Sequence, residues 1–220
     1  MESRTCEVCF YVESYRTIEF YNGKRLCRFC YEYDQFKAII EDARSTFLSW
    51  KEIEFIILDT ETTGLSLWDE IIEISIIDSK GNLLYDSLVK PTIPIPLDAI
   101  EMHGITNEDV SRAPTWDKVW EEIAPLLSTK KILIYNRDFD ISKISYCCSL
   151  YNLELPKLDS ECVMETYADY CGSTRWISLS NAVGYYISHR AKNDCYATLE
   201  LIQRVWDEIN DIRGNGDGNS

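Results

Sequence analysis

The pattern of apolar and polar residues predicts a chain in which short buried strands alternate with helices. The segment IEFIILD, residues 53–59, is apolar and rich in β-branched residues, as expected of a strand covered on both faces. Residues 70–79 and 83–91 alternate well enough to form a β-hairpin across Lys80-Gly81-Asn82. Further apolar segments predict strands at residues 131–135 and 158–163.

Helical periodicity occupies much of the sequence between and after these strands. Residues 115–128 carry apolar groups at spacings of three and four, which predicts an amphipathic helix. A short helix is expected around residues 179–186 and a long one from about residue 190 to residue 212. The residues of the 115–128 helix expected to face inward are Trp116, Val119, Trp120, Ile123 and Leu127.

Two stretches between the hairpin and the amphipathic helix are less regular. Residues 91–100 are interrupted by prolines and predict an irregular crossover. Thr106 and Asn107 then predict the capped start of another helix. Strands alternating with helices in this way favour the α/β fold class.

The N-terminal residues follow a different pattern, organised around four cysteines. Cys6 and Cys9 form one C-x-x-C pair, and Cys27 and Cys30 form a second after 17 intervening residues. Two such pairs can close a tetrahedral site of four thiolates, which favours one structural Zn²⁺. Asn22-Gly23 predicts a hairpin turn between the pairs. The residues after the second pair are helix-like, with apolar groups at Phe36, Ile39, Ile40 and Phe47.

This arrangement resembles a treble-clef zinc finger, and several roles for it stay open. Chance cysteines in a reduced core are the alternative to a metal site. Zinc binding could simply supply folding free energy to a segment with a thin core. Lys24, Arg25 and Arg28 beside Tyr21 and Phe29 could instead form a basic and aromatic patch for phosphates and bases. The finger could also dock a protein partner.

Composition and charge narrow the class of protein. The chain is 45% hydrophobic and 12% aromatic, which excludes wholesale disorder. Its net charge of −15 argues against coating nucleic acid by bulk attraction. Residues 1–51 hold eight basic and eight acidic side chains, so the net negative charge lies in residues 52–220. No apolar run approaches the ~20 residues of a membrane helix and no secretory segment is present, so we expect a cytoplasmic protein without membrane contact.

The other five cysteines show no ligand spacing. A chain without a secretory segment is not expected to rely on a disulfide framework, and free cysteine behaves as a small apolar residue. We therefore expect buried thiols at Cys147, Cys148, Cys162, Cys171 and Cys195.

Carboxylates stand at the ends of two predicted strands. Asp59 and Glu61 are two residues apart, so their side chains project from one face of a strand and can reach the same point. Gly64 then permits a sharp turn close to a ligand. Asp140 follows the strand at residues 131–135, at a strand-to-helix junction of the kind where ligand sites gather in α/β sheets.

The two histidines of the chain fall in segments that complete a set of four motifs. His103 lies in HGIT, and His189 precedes the last helix, five residues before Asp194. In this order and spacing, DTETTG, HGIT, NRDFD and HRAKND resemble the DEDDh exonucleases of the proofreading type. The resemblance covers about residues 53–210. It implies a ribonuclease H-like mixed five-stranded sheet flanked by helices, here preceded by the four-cysteine module.

The resemblance also implies a metal-dependent 3′→5′ exonuclease that releases nucleoside 5′-monophosphates. Two Mg²⁺ or Mn²⁺ ions about 3.5–4 Å apart can support phosphodiester hydrolysis, and such ions prefer carboxylate oxygens. Four carboxylates so close together should repel one another strongly without metal, so the metal-free site is expected to be strained or partly protonated. His189 is the expected general base, because imidazole titrates near neutral pH. The expected metal ligands are Asp59, Glu61, Asp140 and Asp194.

By the same resemblance, further residues are expected to contact a nucleic acid with a free 3′ end. Leu65 could wedge against the last base, and backbone N–H groups near it could hold the 3′-OH. Arg137 could grip a phosphate. The expected substrate-binding residues are Thr62, Thr63, Gly64, Leu65, Met102, His103, Asn136 and Arg137.

The sequence thus predicts three segments and leaves the substrate open. Residues 1–50 are expected to form the finger and a connecting helix, residues 51–213 the exonuclease domain, and residues 214–220 a disordered tail. Single-stranded DNA or a frayed duplex end is the leading substrate. The alternatives are RNA trimming by the same chemistry and a non-catalytic adaptor with a nuclease-like domain.

Overall fold

A mixed five-stranded sheet forms the centre of the molecule. The computed structural model describes residues 19–21, 24–26 and 28–216, and the side chains of residue 30 and residues 32–211. The strand order is β5-β4-β3-β6-β7, with β3, β4 and β5 antiparallel and β3, β6 and β7 parallel. The strands are β3 (Phe55–Thr62), β4 (Ile71–Asp78), β5 (Leu83–Leu88), β6 (Lys131–Ile134) and β7 (Ser160–Cys162).

Helices cover both faces of this sheet. One face packs against the first, fifth, sixth and seventh helices, and the other packs against the third and fourth. Because both faces are covered, seven of the eight residues of β4 are buried. The helices are α1 (Arg28–Lys51), α2 (Leu97–His103), α3 (Trp116–Leu127), α4 (Arg137–Leu150), α5 (Val163–Tyr170), α6 (Leu179–Val183) and α7 (Ala191–Gly216).

The predicted α/β class, the hairpin and the amphipathic helix are confirmed. Strands β4 and β5 pair antiparallel around residues 79–82. Helix α3 coincides with the predicted segment, and all five residues expected to face inward are buried. The predicted strands at residues 53–59 and 158–163 are present with shifted ends, so the sheet has the expected number of strands.

One predicted helix is absent and two helices were not predicted. Residues 97–103 form helix α2, where only a proline-punctuated crossover was expected, because Pro96 precedes the helix instead of interrupting it. No helix starts at Thr106; the segment that follows makes only turns, in which Asp109 accepts the backbone N–H and hydroxyl of Thr106. Helix α5, which follows β7 without a break, was not predicted.

The described part of the N-terminal segment is a short hairpin followed by a long helix. Strands β1 (Glu19–Tyr21) and β2 (Lys24–Leu26) pair antiparallel. Cys30 is buried in the first turn of α1. The other three predicted zinc ligands, Cys6, Cys9 and Cys27, lie outside the described residues, as do Asn22 and Gly23 and the side chains of Lys24, Arg25, Arg28, Tyr21 and Phe29.

The C-terminal half of α1 packs into the same core as the sheet. Phe47 and Trp50 are almost fully buried and join a cluster that includes Phe55 of β3 and Val205 of α7. Phe47 and Trp50 meet edge to face, with ring centroids 4.8 Å apart. The core around the sheet therefore includes residues from before residue 51.

The remaining expectations concern the tail, the cysteines and the membrane. Helix α7 continues to Gly216, so it includes the first residues of the predicted 214–220 tail; residues 217–220 lie outside the described part. Cys171 is exposed, which contradicts the prediction of a buried thiol, whereas Cys147, Cys148, Cys162 and Cys195 are buried. Within the described residues, no helix combines the length and apolar character needed to cross a bilayer.

Candidate active site

Alternation along β3 directs its two carboxylates toward α7. Asp59 and Glu61 share the strand face of Phe55 and Ile57, which packs against α7. Asp194 lies in the first turn of that helix. The α7-facing side of β3 and the first turn of α7 thus bring three carboxylates together.

Carboxylate oxygens of Asp59, Glu61 and Asp194 lie within 4.8 Å of one another. These three side chains, the acidic cluster, are all half-buried. Oδ1 of Asp194 is shielded from solvent and has no hydrogen-bond partner among the described residues. A buried carboxylate oxygen without a donor is costly, so it points to a ligand that carries positive charge.

Burial and mutual repulsion shift the acidic cluster toward its protonated forms. Burial, and then the nearby charges of Asp140 and Asp194, raise the pKa of Asp59 well above its usual value. Burial and the charge of Asp194 raise the pKa of Glu61 to about 8. Burial, followed by the charge of Glu73, raises the pKa of Asp194 to about 7. The expectation that the metal-free carboxylates are partly protonated agrees with these shifts.

Asp140 adjoins the acidic cluster but is held differently. It is buried in the first turn of α4, and its Oδ1 accepts a hydrogen bond of 2.6 Å from Thr60. Thr60 alternates with Asp59 and so projects from the opposite face of β3. Burial raises the pKa of Asp140 to about 7, while the Thr60 hydrogen bond works in the other direction. The Asp140 carboxylate is therefore close enough to raise the pKa of Asp59, but Asp140 is not one of the three residues whose oxygens lie within 4.8 Å of one another.

Glu73 is a carboxylate of this region that the sequence analysis missed. It lies on β4 directly opposite Glu61. Its oxygens accept hydrogen bonds from the guanidinium of Arg190 and from the backbone N–H of Ala191. The pattern IIEISIID could have indicated it: in a strand buried on both faces, a glutamate must find a partner inside the protein.

His189 lies in the segment that leads into α7. Its backbone has φ 29°, a left-handed value that is uncommon for a residue other than glycine. The ring is half-buried and meets Tyr186 edge to face, with ring centroids 6.4 Å apart. The residue predicted as general base thus precedes the helix that carries Asp194.

The loop after β3 is tied down by its own side chains. Thr62 and Thr63 are buried, and the hydroxyl of Thr62 donates to the carbonyl of Gly64 at 2.8 Å. The hydroxyl of Thr63 donates to Asp69 at 3.0 Å and accepts the N–H of Glu70. These two hydroxyls, predicted to meet substrate, are therefore engaged within the loop.

Lys143 of α4 anchors the same loop through hydrogen bonds to its backbone. Its side chain is almost fully buried, and Nζ donates to the carbonyl of Gly64 at 3.0 Å and to the carbonyl of Ser66. Gly64 has no room for a larger residue, because an added Cβ would lie 2.8 Å from Asp69 Oδ2. Leu65, in contrast, is 87% exposed, and Leu67 and Trp68 of the same loop are exposed as well, so the loop presents apolar side chains on a backbone that Lys143 anchors.

His103 is positioned as a hydrogen-bond donor. It is buried at the end of α2, and Nδ1 accepts the N–H of Ile105 at 3.0 Å. Burial lowers the pKa of His103, while the backbone of Thr62 works in the other direction. Because Nδ1 accepts a hydrogen bond, the proton of the neutral ring lies on Nε2, which faces the Thr62 backbone without meeting an acceptor at hydrogen-bond geometry in the described part of the chain. Its neighbour Met102 is exposed.

The last two predicted substrate residues begin α4. Asn136 is exposed and has left-handed backbone angles, φ 63° and ψ 50°. Arg137 forms an ion pair with Asp138, with Nη2 2.6 Å from Oδ1. Its guanidinium is therefore engaged with a neighbouring carboxylate, although Arg137 was expected to grip a phosphate.

The donor set of the acidic cluster fits a hard divalent cation. Mg²⁺ and Mn²⁺ prefer oxygen ligands, and a small group of carboxylates supplies them. The unsatisfied Oδ1 of Asp194 and the raised pKa values indicate that the described side chains do not neutralise this charge. The geometry thus supports a divalent metal site at the junction of β3 and α7.

Comparisons with known proteins agree with this chemistry. A sequence model of the RNase T exonuclease family matches residues 56–202. The uncharacterized exonuclease CP81 of Escherichia phage 186 is 39% identical over 174 residues, which cover 71% of this chain and 90% of that protein. DNA polymerase III subunit epsilon of Pasteurella multocida is 30% identical over 119 residues, covering 50% of this chain and 47% of that protein.

Solved structures share the fold. The nuclease domain of 3′hExo, a DEDDh family member bound to rAMP, superposes with a TM-score of 0.59 at 16% identity, covering 70% of this chain and 92% of that one. Exonuclease X in complex with 5′ overhanging duplex DNA gives a TM-score of 0.53 at 24% identity, with the same coverage. With the family match and the acidic cluster, these observations identify the chain as a member of the RNase T family, a 3′–5′ exonuclease of the DEDDh type.

Proposed function

We propose that the protein removes nucleotides one at a time from the 3′ end of a single-stranded or frayed nucleic acid, with two Mg²⁺ or Mn²⁺ ions at the acidic cluster. The observation that carries the proposal is the approach of Asp59, Glu61 and Asp194 oxygens to within 4.8 Å. Asp140 completes the set as the fourth carboxylate of the family motifs. The products are nucleoside 5′-monophosphates.

The metal ions, when bound, neutralise phosphoryl charge and favour ionisation of water. Asp59, Glu61 and Asp194 would hold them, and Asp140 is kept in place by the hydrogen bond that it accepts from Thr60. His189 accepts the proton of the attacking water on an imidazole nitrogen. His189 is only half-buried just before α7, which supports that role, since a base must be able to reach substrate and release its proton to solvent.

The side chains around the acidic cluster support binding of a terminal nucleotide. Leu65 is exposed on a rigid loop, which suits contact with the last base. Nε2 of His103 offers a hydrogen-bond donor, which suits a sugar or phosphate oxygen. Met102 and Asn136 are exposed and are proposed as further contacts, while Arg137 would have to leave Asp138 to reach a phosphate.

A labelled oligonucleotide tests this proposal. A single strand with a 5′ label should shorten from its 3′ end in the presence of Mg²⁺ or Mn²⁺ and release nucleoside 5′-monophosphates. EDTA should stop the reaction. A strand blocked at its 3′ end should remain intact, and cleavage in its interior would contradict exonuclease action.

DNA is the proposed substrate, and RNA is the second candidate. DNA is favoured by the similarity to DNA polymerase III subunit epsilon. RNA is favoured by a solved relative whose structure concerns recognition of histone mRNA by a 3′-exonuclease, with a TM-score of 0.61 at 19% identity. Matched DNA and RNA oligonucleotides decide between them: a kcat/KM at least tenfold higher for RNA would replace DNA as the substrate.

We also propose one structural Zn²⁺ bound by Cys6, Cys9, Cys27 and Cys30. The double C-x-x-C spacing supports this site, together with the burial of Cys30 at the start of α1. The N-terminal segment is proposed to assist the grip on nucleic acid or a partner protein. Elemental analysis should give about one zinc per chain, lost in Cys27→Ser; a wild-type protein without zinc would remove the finger from the proposal.

A further inference from the structure

The start of α7 is held by a carboxylate from another strand. We propose that Glu73 is a positioning residue: through Arg190 and the backbone N–H of Ala191, its side chain fixes the conformation of His189 and Asp194 that catalysis needs. This inference rests on the proposed function, because it depends on the roles given there to His189 and Asp194.

The contacts of Glu73 use both of its oxygens. Nε of Arg190 lies 3.0 Å from each oxygen, and Nη2 donates to Oε1. The backbone N–H of Ala191 donates to Oε2 at 3.0 Å. Glu73 is 4% exposed, so these donors replace water entirely. A carboxylate so fully engaged is not a metal ligand, although its neighbour across the strands is Glu61.

These contacts act directly on the first turn of α7. The Ala191 N–H has no acceptor inside the helix, and Glu73 supplies one from β4 with a negative charge that suits a helix N-terminus. The carbonyl of Arg190 then accepts the N–H groups of Asn193 and Asp194, at 2.7 and 3.1 Å. The backbone of Asp194 is therefore bonded directly to Arg190, one of the two residues that Glu73 holds.

His189 depends on the same anchor. Its backbone has φ 29°, a conformation that persists only where the flanking residues prevent relaxation. Ile187, two residues before it, is buried in the core, and Ala191, two residues after it, is fully buried with its N–H bound to Glu73. Without this bond the chain on the C-terminal side of His189 is free to rotate, and the imidazole moves away from the acidic cluster.

Charge separates this role from simple stabilisation. Glu73 adds a further carboxylate beside Glu61, Asp59 and Asp194, and like charges in a buried site oppose folding. Arg190 offsets that charge but is itself partly exposed. A neutral side chain would stabilise the fold better at this position. A carboxylate is needed only for a residue that must form the ion pair with Arg190 and also cap α7.

Glu73→Gln tests the inference. Glutamine keeps the size and can still accept the Ala191 N–H, but it loses the ion pair with Arg190. We expect kcat on a single-stranded oligonucleotide to fall at least tenfold while KM changes less than threefold. Mn²⁺ affinity, measured from the free Mn²⁺ signal in electron paramagnetic resonance, should weaken at least threefold. The melting temperature in EDTA should not fall, because a negative charge has left a crowded site.

Companion variants complete the design. Arg190→Met should lose as much kcat as Glu73→Gln, and Arg190→Lys should recover part of it. Glu70→Gln is the matched control: Glu70 is equally buried beside β4, but its oxygens bind Thr92, so its kcat and Mn²⁺ affinity should stay within twofold of wild type.

Two results would overturn the inference. One is a Glu73→Gln protein whose kcat and Mn²⁺ affinity stay within twofold of wild type. The other is a loss of kcat that follows a lower melting temperature and disappears on cooling, which would make Glu73 purely structural. If wild type cleaves no oligonucleotide, the proposed function fails, and the Mn²⁺ measurements alone decide whether Glu73 positions Asp194.

Discussion

Two sets of carboxylates lie along β3, at and within β4, and in the first turn of α7, and only one set is satisfied by the protein. Glu70 and Glu73 are buried, and their oxygens accept hydrogen bonds from Thr92, Arg190 and Ala191. Asp59, Glu61 and Asp194 are less buried, yet Asp194 has an oxygen without a partner. Burial therefore does not mark the functional carboxylates. What marks them is that the surrounding protein leaves their charge uncompensated.

The electrostatics follow the same division. Burial and the charges of four neighbouring carboxylates all raise the pKa of Asp59, with no donor to oppose them. Asp140 is intermediate in its electrostatics, because burial raises its pKa while the hydrogen bond from Thr60 lowers it. A binding site can therefore be recognised by a missing counter-charge as well as by the residues present.

The largest effect is expected from Asp194→Asn. The amide has the same shape but cannot hold a divalent cation with an anionic oxygen, so exonuclease activity should fall at least about 10³-fold. Stability in EDTA should stay the same or rise, because repulsion within the acidic cluster decreases. Steady-state assays and thermal denaturation measure the two effects. Activity within tenfold of wild type would place the cation elsewhere.

His189→Gln should have the next largest effect. Removal of a general base typically lowers kcat about 10²–10⁴-fold, so we expect a loss of at least about 10²-fold with Mn²⁺ affinity nearly unchanged. That combination would separate His189, the proposed proton acceptor, from Asp194, a proposed metal ligand. A pH–rate profile on the same oligonucleotide checks it: an unchanged acidic limb in the variant would show that another group is the base.

Metal-free stability should depend on pH in a direction set by the raised pKa values. Glu61 and Asp194 titrate at about 8 and about 7 in the folded chain, above their usual values near 4. The folded chain thus retains protons that the unfolded chain releases, and the free energy of unfolding in EDTA should fall between pH 5 and pH 8, by about 2 kcal/mol or more.

Saturating Mg²⁺ should abolish most of this pH dependence, since the cation then replaces the protons. Chemical denaturation in EDTA and in Mg²⁺ at several pH values measures the difference. An Asp194→Asn protein provides the control, with a smaller fall than wild type. Equal slopes with and without Mg²⁺ would contradict the view that the cluster lacks a counter-charge.

Lys143→Met should have the smallest effect, on substrate binding. Lys143 anchors the loop that presents Leu65, so its loss should raise KM about fivefold and leave kcat within twofold. The cost in stability should be about 1 kcal/mol, because the lost hydrogen bonds are offset by removal of a buried charge. Lys130→Met, which removes a surface ion pair with Glu54, is the control and should leave KM unchanged.

The sequence was sufficient for the parts of the site that follow from strand periodicity. Asp59 and Glu61 share a face because alternation has a period of two, and this required no knowledge of the partner strands. The sequence could not show that Asp140 would bind Thr60 on the other face, because that depends on how α4 packs against β3. Glu73 was missed for a related reason, since its partner Arg190 is 117 residues away.

The missed helices have local causes. Prolines near the start of α2 indicated a loop, although proline is compatible with the first turn of a helix. Helix α5 starts directly after Cys162 with no side-chain cap, so no start signal was present to separate it from β7.

The docking of α1 limits how the protein can be shortened. A chain begun at residue 51 would lack Phe47 and Trp50, leaving a hollow against Phe55 and Tyr170 and an unpaired indole at Trp206, which donates to the Phe47 carbonyl. Deleting a buried aromatic side chain typically costs about 3–5 kcal/mol, comparable with the total stability of many domains. A truncation that removes the cysteine-rich segment should therefore keep α1. A shortened chain should not begin at residue 51, where the charge of the sequence changes.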